Sequence, residues 1–138
     1  MNSDDIRKIE QALEIELPSH YVNYITNIPP TLMELKSQLG ELLFLFDNPE
    51  QLISLNQHLG FYRSDKFIKQ KLCIGENGGG DYYLIELNTS TDQRVYFLDH
   101  EESVENHYDQ ETDTWFWENL EFSNNLKEHE ADILNMFS

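Results

Sequence analysis

The sequence predicts an α+β fold: a single domain over residues 1–138, in which N-terminal helices and a C-terminal helix pack around a central, mostly antiparallel sheet. Three observations predict it. Apolar residues recur at helical spacing near the N-terminus, short apolar runs separated by tight turns follow in the middle, and helical spacing returns near the C-terminus. A chain of 138 residues is long enough to bury one core.

The N-terminal part of the chain has the pattern of two helices. Ser3–Asp5 can cap the first helix, whose apolar residues recur every three or four positions until Pro18 interrupts the pattern. Ser19 can cap a second helix, which should run to about Ile28 because the proline pair at 29–30 cannot continue it.

The next part predicts one strand and one helix. Residues 31–40 have an ambiguous pattern. The apolar run in Glu41–Phe46 is typical of a short buried strand. Pro49 suits the first turn of a helix, and the leucines that follow keep helical spacing to about Tyr62.

Three strands are predicted at about residues 70–75, 81–88 and 94–99, and the short loops between them favour antiparallel neighbours. The first loop predicts a wide turn, because asparagine and glycine adopt positive φ with little strain. Asp81 should accept backbone N–H groups across it. The residues assigned to this turn are Gly75, Asn77, Gly78, Gly79 and Gly80.

The last part of the chain is less regular. Residues 102–113 are polar and fit either a loop or a further hairpin. From about Trp115 to Phe137 the pattern predicts a helix, with a break near Asn124 and Asn125.

The chain is very acidic, and the acidity is uneven. The formal net charge is −17 at pH 7; residues 1–71 hold 10 acidic and 7 basic side chains, whereas residues 72–138 hold 16 and 2. Repulsion between carboxylates and phosphates argues against nucleic acid and against an anionic membrane surface as partners. Acidity alone is compatible with a role in solubility, but its concentration in one half favours a surface that binds a basic protein.

No motif predicts catalysis or a bound cofactor. The glycine-rich loop precedes a strand rather than a helix and lacks the Gly-Lys-Ser/Thr of a phosphate-binding loop. Cys73 is the only cysteine, so a disulfide framework is impossible, and it is expected to be a small core residue of a cytosolic protein. No serine lies in a Gly-x-Ser-x-Gly elbow. The chain is therefore predicted to be neither an enzyme nor a cofactor-binding protein.

Metal-binding patterns are incomplete. Residues 109–113 resemble the opening of a calcium loop, but Thr114 stands where that loop requires glycine and Leu120 where it requires a bidentate glutamate. A transition-metal site would require His100 and His107 to converge, which no sequence pattern establishes. No metal is predicted.

Three segments occur in an order and at a spacing that match a known family. In Leu17–Ile25, Leu-Pro closes the first helix and is followed by tyrosine and an apolar pair. Ile74–Asp81 holds the glycine turn, and Val95–Glu101 is an apolar strand that ends in Asp-His-Glu. Together these segments, within about residues 6–102, resemble the SUKH superfamily of the Smi/Knr type.

The resemblance implies an α+β fold without catalytic activity. Most bacterial members resemble cytosolic immunity proteins that block a toxin domain, often a nuclease, whereas a eukaryotic branch regulates cell-wall synthesis and signalling through protein contacts. With the acidity, this predicts a cytoplasmic antitoxin, a monomer or weak dimer, that neutralises a cognate secreted toxin domain with a basic surface. The alternative is a regulatory adaptor of the same fold that has no toxin partner.

The expected binding surface lies on the three-strand region. Its carboxylates would meet lysine and arginine residues of the toxin, and aromatic residues that strand alternation leaves outside the core would act as anchors. All the aromatic residues could instead belong to the core. The residues assigned to this surface are Glu76, Asp81, Tyr82, Glu86, Tyr96, Asp99, Glu101, Glu102 and Trp115.

Overall fold

The fold is α+β, as the sequence predicts, in a computed structural model. The structure describes residues 1–58, 71–87, 91–101, 106–109, 111–112 and 114–138. Within these ranges the helices are α1 (Ser3–Leu13), α2 (Ser19–Ile25), α3 (Pro30–Leu39), α4 (Pro49–Gln57) and α5 (Leu126–Met136). The strands are β1 (Lys71–Glu76), β2 (Tyr82–Glu86), β3 (Val95–Leu98), β4 (Tyr108–Asp109), β5 (Thr114–Trp115) and β6 (Glu121–Ser123), and one turn of 3-10 helix spans Trp117–Asn119.

Asparagine side chains set where α1, α4 and α5 begin. At α1 the Asn2 side chain accepts the Asp5 N–H at 2.9 Å, and the Asp5 carboxylate accepts the Asn2 N–H at 3.0 Å, which is a reciprocal capping box. Asn48 and Asn125 accept N–H groups in the first turns of α4 and α5. The cap predicted at Ser3–Asp5 is thus corrected to Asn2.

The remaining helices differ in length from their predictions. Helix α2 ends at Ile25, short of the predicted Ile28. The ambiguous segment that follows is the helix α3, with Pro30 in its first turn, where a missing N–H costs no hydrogen bond. Helix α4 ends at Gln57, and positions 59–62 of its predicted extension lie outside the described residues. No helix in the described part of the chain combines the length and the apolar character needed to cross a bilayer.

The central sheet is antiparallel, with the strand order β1-β2-β3-β6. The antiparallel arrangement predicted for the three consecutive strands is therefore confirmed. The strands β4 and β5 form a separate two-stranded hairpin. The sequence left a loop or a hairpin open for residues 102–113, and the described part of that segment supports the hairpin.

The sheet separates two clusters of buried residues. One face packs on the helices, where Leu72, Ile85 and Val95 join Ile9 of α1 and Ile133 of α5. The β4–β5 hairpin and the turn of 3-10 helix cover the other face. The buried residues on that side are Cys73, Leu84, Tyr96, Leu98, Trp115 and Leu120.

The strand predicted within Glu41–Phe46 is wrong. The segment is irregular and runs beside the outer edge of β1, where it makes two backbone hydrogen bonds. The Phe46 N–H donates to the Ile74 carbonyl and the Glu76 N–H donates to the Leu43 carbonyl, both at 2.8 Å. A short apolar run that is buried has the same sequence pattern in a strand and in an irregular segment.

The prediction that the C-terminal helix begins at about Trp115 is also wrong. Residues 115–123 contain part of β5, the turn of 3-10 helix and β6 instead. The reason is tertiary: the rings of Trp115 and Trp117 stack with centroids 4.9 Å apart over the outer face of the sheet, and β6 pairs with β3. The helix begins at Leu126, directly after the predicted break.

Candidate functional site

The glycine turn and the end of β3 bring acidic side chains together at one end of the sheet. Tyr82 pairs with Leu98, so the adjoining residues Asp81 and Asp99 take opposite positions where the two strands meet. A carboxylate oxygen of each aspartate and a ring nitrogen of His100 all lie within 4.8 Å of one another.

Two glutamates extend this group. Glu76 on β1 is the register partner of Tyr82 on β2. The pKa of the Tyr82 hydroxyl is raised, mainly by burial and further by nearby charges that include Glu76. Glu101 is exposed, and its backbone N–H donates to Asp99 Oδ1 at 2.9 Å. We call these four carboxylates the acidic cluster: Glu76, Asp81, Asp99 and Glu101.

His100 is the basic group at the centre of the acidic cluster. Its backbone N–H donates to Asp81 Oδ1 at 2.8 Å, and its ring Nδ1 lies 2.5 Å from the same oxygen. The hydrogen bond to Asp81 raises the pKa of His100. Burial alone would raise the pKa of Asp81, but hydrogen bonds from His100 and Asn77 lower it overall. The contact therefore favours a protonated histidine beside an ionised aspartate.

Asn77 organises the turn that positions Asp81. Its Oδ1 accepts the Gly79 N–H at 2.8 Å and the Asp81 N–H at 3.3 Å, and its Nδ2 donates to Asp81 Oδ2 at 2.7 Å. The Asn77 N–H donates to the Asp81 carbonyl at 3.2 Å, and the Asp81 carboxylate accepts from the Asn77 side-chain amide and from the His100 N–H. The expectation that Asp81 accepts a backbone N–H group across the turn is thus confirmed for its carbonyl oxygen, whereas its carboxylate accepts from the Asn77 side chain.

Gly80 allows the His100 ring to lie against the turn. It has φ +99°, a conformation that favours glycine, and a Cβ atom there would meet the His100 ring at 3.3 Å. The positive φ therefore favours glycine here, and any larger residue would push the imidazole away from its present position.

Glu86 lies at the opposite end of β2 from the acidic cluster. It accepts a hydrogen bond from Lys71 Nζ, and the Lys71 side chain is only 2% exposed. The same ammonium lies 4.0 Å from the Trp117 ring centroid. Burial lowers the pKa of Lys71, and Glu86 opposes that shift. This carboxylate neutralises an internal charge, so it does not belong to the acidic cluster.

The three aromatic residues assigned to the surface differ in exposure. Tyr96 is 1% and Trp115 is 9% exposed, which leaves almost no surface for a partner, and the Tyr96 hydroxyl donates to Asp92 at 2.5 Å. Tyr82 is half-buried and adjoins the acidic cluster. Glu102 lies outside the described residues.

The central position of His100 was missed by the sequence reasoning, which considered it only as a metal ligand. A signal existed: pairing the second and third predicted strands as a tight hairpin places Asp81 opposite Asp99, with His100 next in the chain. His107 does not join this group. It is 2% exposed and stacks on Trp115 on the other face of the sheet.

Chemically, the acidic cluster can hold a cation. Aspartate and histidine are ligand types for divalent metals, but the Asp81 carboxylate and the His100 Nδ1 already bond to each other, so a metal ion held by both groups would have to replace that bond. An ammonium or guanidinium group needs no such rearrangement, because Glu101 is exposed and can accept hydrogen bonds from outside the fold.

A comparison with known families finds a match over most of the chain. A SUKH-type family model described as SMI1-KNR4 cell-wall matches residues 3–122. No curated protein and no solved structure shows a significant match to the chain.

Proposed function

Because the chain belongs to the SMI1-KNR4 family of the SUKH superfamily, we propose that it is an immunity protein that binds and neutralises a cognate toxin domain with a basic surface. The site of contact in this proposal is the acidic cluster with Tyr82 beside it. The protein would act in the cytoplasm by stoichiometric binding, without catalysis.

The observation that supports this proposal most is that four of the predicted carboxylates lie at one end of the sheet, where those of Asp81 and Asp99 come together beside His100. Among the ion pairs of the described residues, the only basic partner of the acidic cluster is His100, which contacts Asp81. The cluster therefore carries a net negative charge even when His100 is protonated. A toxin that binds nucleic acid presents lysine and arginine residues to phosphates, and such a cluster can occupy the same residues.

The members of the cluster would contribute differently. Glu101 is exposed and would mainly raise the association rate through long-range attraction, an effect that salt screens. Tyr82 would supply apolar contact area and a hydroxyl group at the centre of the contact.

The proposal predicts that a toxin domain is encoded beside this gene, and it is tested with that domain. The purified domain is mixed with the wild type and with the variant Glu76→Lys/Glu101→Lys; complex formation is measured by calorimetry and protection by growth rescue. We expect a one-to-one complex with the wild type and a loss of affinity of roughly a hundredfold in the variant, about 2–5 kcal/mol for charge pairs desolvated in an interface.

The matched control is Glu14→Lys/Glu16→Lys, which changes the net charge equally at two exposed acids beside the end of α1. It should bind and protect like the wild type. Equal losses in both variants would mean that overall charge, and not the acidic cluster, determines binding. An absence of any complex with the wild type would contradict the immunity function.

A regulatory adaptor is the second candidate, and the cell-wall description of the matching family model favours it. An adaptor would bind several proteins of its own cell and would not protect against a toxin. Capture experiments with the wild type and the Glu76→Lys/Glu101→Lys variant separate the two functions, because only the immunity protein forms one saturable complex with a toxin domain.

A further inference from the structure

A half-open groove lies between α5 and the β6 edge of the sheet. Its volume is about 280 Å³, slightly below the range of roughly 300–1,000 Å³ that is typical of small-molecule sites. Among the described strands β6 pairs only with β3, so the groove lies at an edge of the sheet. Its size and place suit a single side chain of a partner protein.

The floor of the groove is aromatic and apolar. Tyr83 and Phe97 lie side by side with ring centroids 5.4 Å apart, and Tyr83 also contacts the ring of His129, at 4.6 Å. His129 is buried, and its Nε2 lies 2.9 Å from the Phe44 carbonyl. Met136, which is 51% exposed, forms part of the wall. Such a lining favours an aliphatic stem or a flat cationic group that packs on aromatic rings.

Two carboxylates line the groove. Glu121 lies on β6, opposite Phe97 in the sheet, and Asp132 lies on α5. The Ser123 hydroxyl donates to Asp132 Oδ2 at 2.8 Å, which holds that carboxylate in place and leaves Oδ1 available. No lysine, arginine or histidine of the described residues forms an ion pair with either acid.

We propose that this groove binds an arginine side chain of the partner protein, with its stem and guanidinium plane against Tyr83 and Phe97 and its N–H groups donating to Glu121 and Asp132. Arginine fits better than lysine, because a planar guanidinium group can stack on a ring while donating to two carboxylates. The inference rests on the proposed function and extends it. It adds a second, partly apolar contact to the acidic cluster.

Tyr83 connects the groove with the acidic cluster, because it lines the groove and lies on β2 two residues after Asp81. The charges of both Asp81 and Asp132 act on the Tyr83 hydroxyl, whose pKa burial raises first. A basic surface that meets the acidic cluster could therefore also place an arginine in the groove.

The experiment uses the whole chain and needs no toxin. Isotope-labelled protein is titrated with N-acetyl-arginine methylamide and, separately, with the citrulline analogue, which has the same shape and no charge. We expect saturable NMR shifts at Phe97, Ser123 and Asp132, with affinity for the arginine probe higher by roughly threefold or more. The variant Glu121→Gln/Asp132→Asn should lose that preference, whereas the charge-matched control Glu14→Gln/Glu16→Gln should keep it.

Equal affinity for the two probes, shifts located elsewhere, or an unchanged preference in the groove variant would each overturn the proposal. Its failure is distinct from that of the immunity function. A toxin domain that binds the wild type and Glu121→Gln/Asp132→Asn equally well would remove the groove from the interface and leave the immunity function intact. Failure of growth rescue would remove the immunity function alone.

Discussion

At Gly75 the structure leaves no room for a side chain. A Cβ atom there would lie 2.2 Å from the Phe44 carbonyl oxygen. The register of β1 against β2 shifts between Cys73 and Gly75, and the irregular segment that contains Phe44 approaches β1 at this bulge. The glycine thus allows backbone to pack directly on backbone.

Replacement of Gly75 by alanine should be strongly destabilising. We expect a loss of about 3 kcal/mol in the free energy of unfolding, because the added methyl group meets backbone atoms that cannot move independently. Chemical denaturation measures the loss. Gly79→Ala is the matched control: its Cβ would find the Asn77 side chain at 3.4 Å, so a change below about 1 kcal/mol is expected. Similar losses in both variants would contradict the close approach at Gly75.

The contact between His100 and Asp81 should make stability depend on pH in a defined window. The pKa of His100 is raised from 6.5 by its bond to Asp81, so its contribution is fully present below pH 6.5 and is lost as pH rises through the folded-state pKa. The pKa of Asp81 is lowered from 3.8, so its contribution is present above that value and is lost as pH falls through the folded-state pKa. The pair should stabilise most between these two values.

The measurement is the difference in melting temperature between the wild type and His100→Gln. The difference should be larger at about pH 5.5 than at about pH 8.5. In Asp81→Asn, NMR titration should find the pKa of His100 closer to 6.5. A pKa of His100 that does not respond to this substitution would contradict the assigned contact.

At the scale of elements, α4 and β1 are joined by the side chain of Asn56. Its Oδ1 accepts the Cys73 N–H at 2.9 Å, and its Nδ2 donates to the Cys73 carbonyl at 2.8 Å. Asn56 is 1% exposed. It takes the place of a neighbouring strand at the bulge of β1, so that the buried backbone groups there remain bonded.

Substitution of Asn56 by alanine should weaken this junction. The Cys73 N–H and carbonyl would be buried without a partner, at a total cost of about 3 kcal/mol. Denaturation measures the cost, and hydrogen exchange at the Cys73 amide should accelerate more than global unfolding requires. Gln57→Ala, an exposed change on the same helix, should alter stability by less than about 0.5 kcal/mol. An unchanged exchange rate at Cys73 would contradict the role of Asn56.

Elements with a regular local pattern could be predicted from the sequence, and elements held by tertiary contacts could not. Helix α1 and the three consecutive strands follow from apolar spacing and turn residues. The apolar run in Glu41–Phe46 predicts a buried strand, and Leu42, Leu45 and Phe46 are buried, but the segment lies at the bulged edge of β1 and makes two backbone hydrogen bonds to it. The short strand β6 forms because its backbone pairs with the edge of β3.

For the whole molecule, the distribution of charge matters more than its total. Lys71 and Arg94 neutralise Glu86 and Asp92 on the outer face of the sheet. The acidic cluster at the glycine-turn end has no such lysine or arginine among the described ion pairs. An uneven field of this kind can orient a basic partner during approach.

Under the proposed function, association with the toxin domain should therefore slow as salt is added. We expect the rate constant to fall by roughly tenfold or more between about 50 mM and about 500 mM salt, because the attraction acts over distances that salt screens. Stopped-flow fluorescence measures the rate. Glu76→Lys/Glu101→Lys should flatten this dependence more than Glu14→Lys/Glu16→Lys does. A rate that is independent of salt would contradict electrostatic steering.

Features that depend on near neighbours in the chain follow from the amino-acid order: the apolar spacing of α1, the glycine turn, the three consecutive strands and the acidity of the second half. Three features depend on the packing of distant segments: which acids lie together, the ion pair of Glu86 with the buried Lys71, and the burial of Tyr96 and Trp115. The reason is physical. Strand register and the packing of distant segments bring together groups far apart in the chain, and no local pattern encodes which face or which partner each side chain will have.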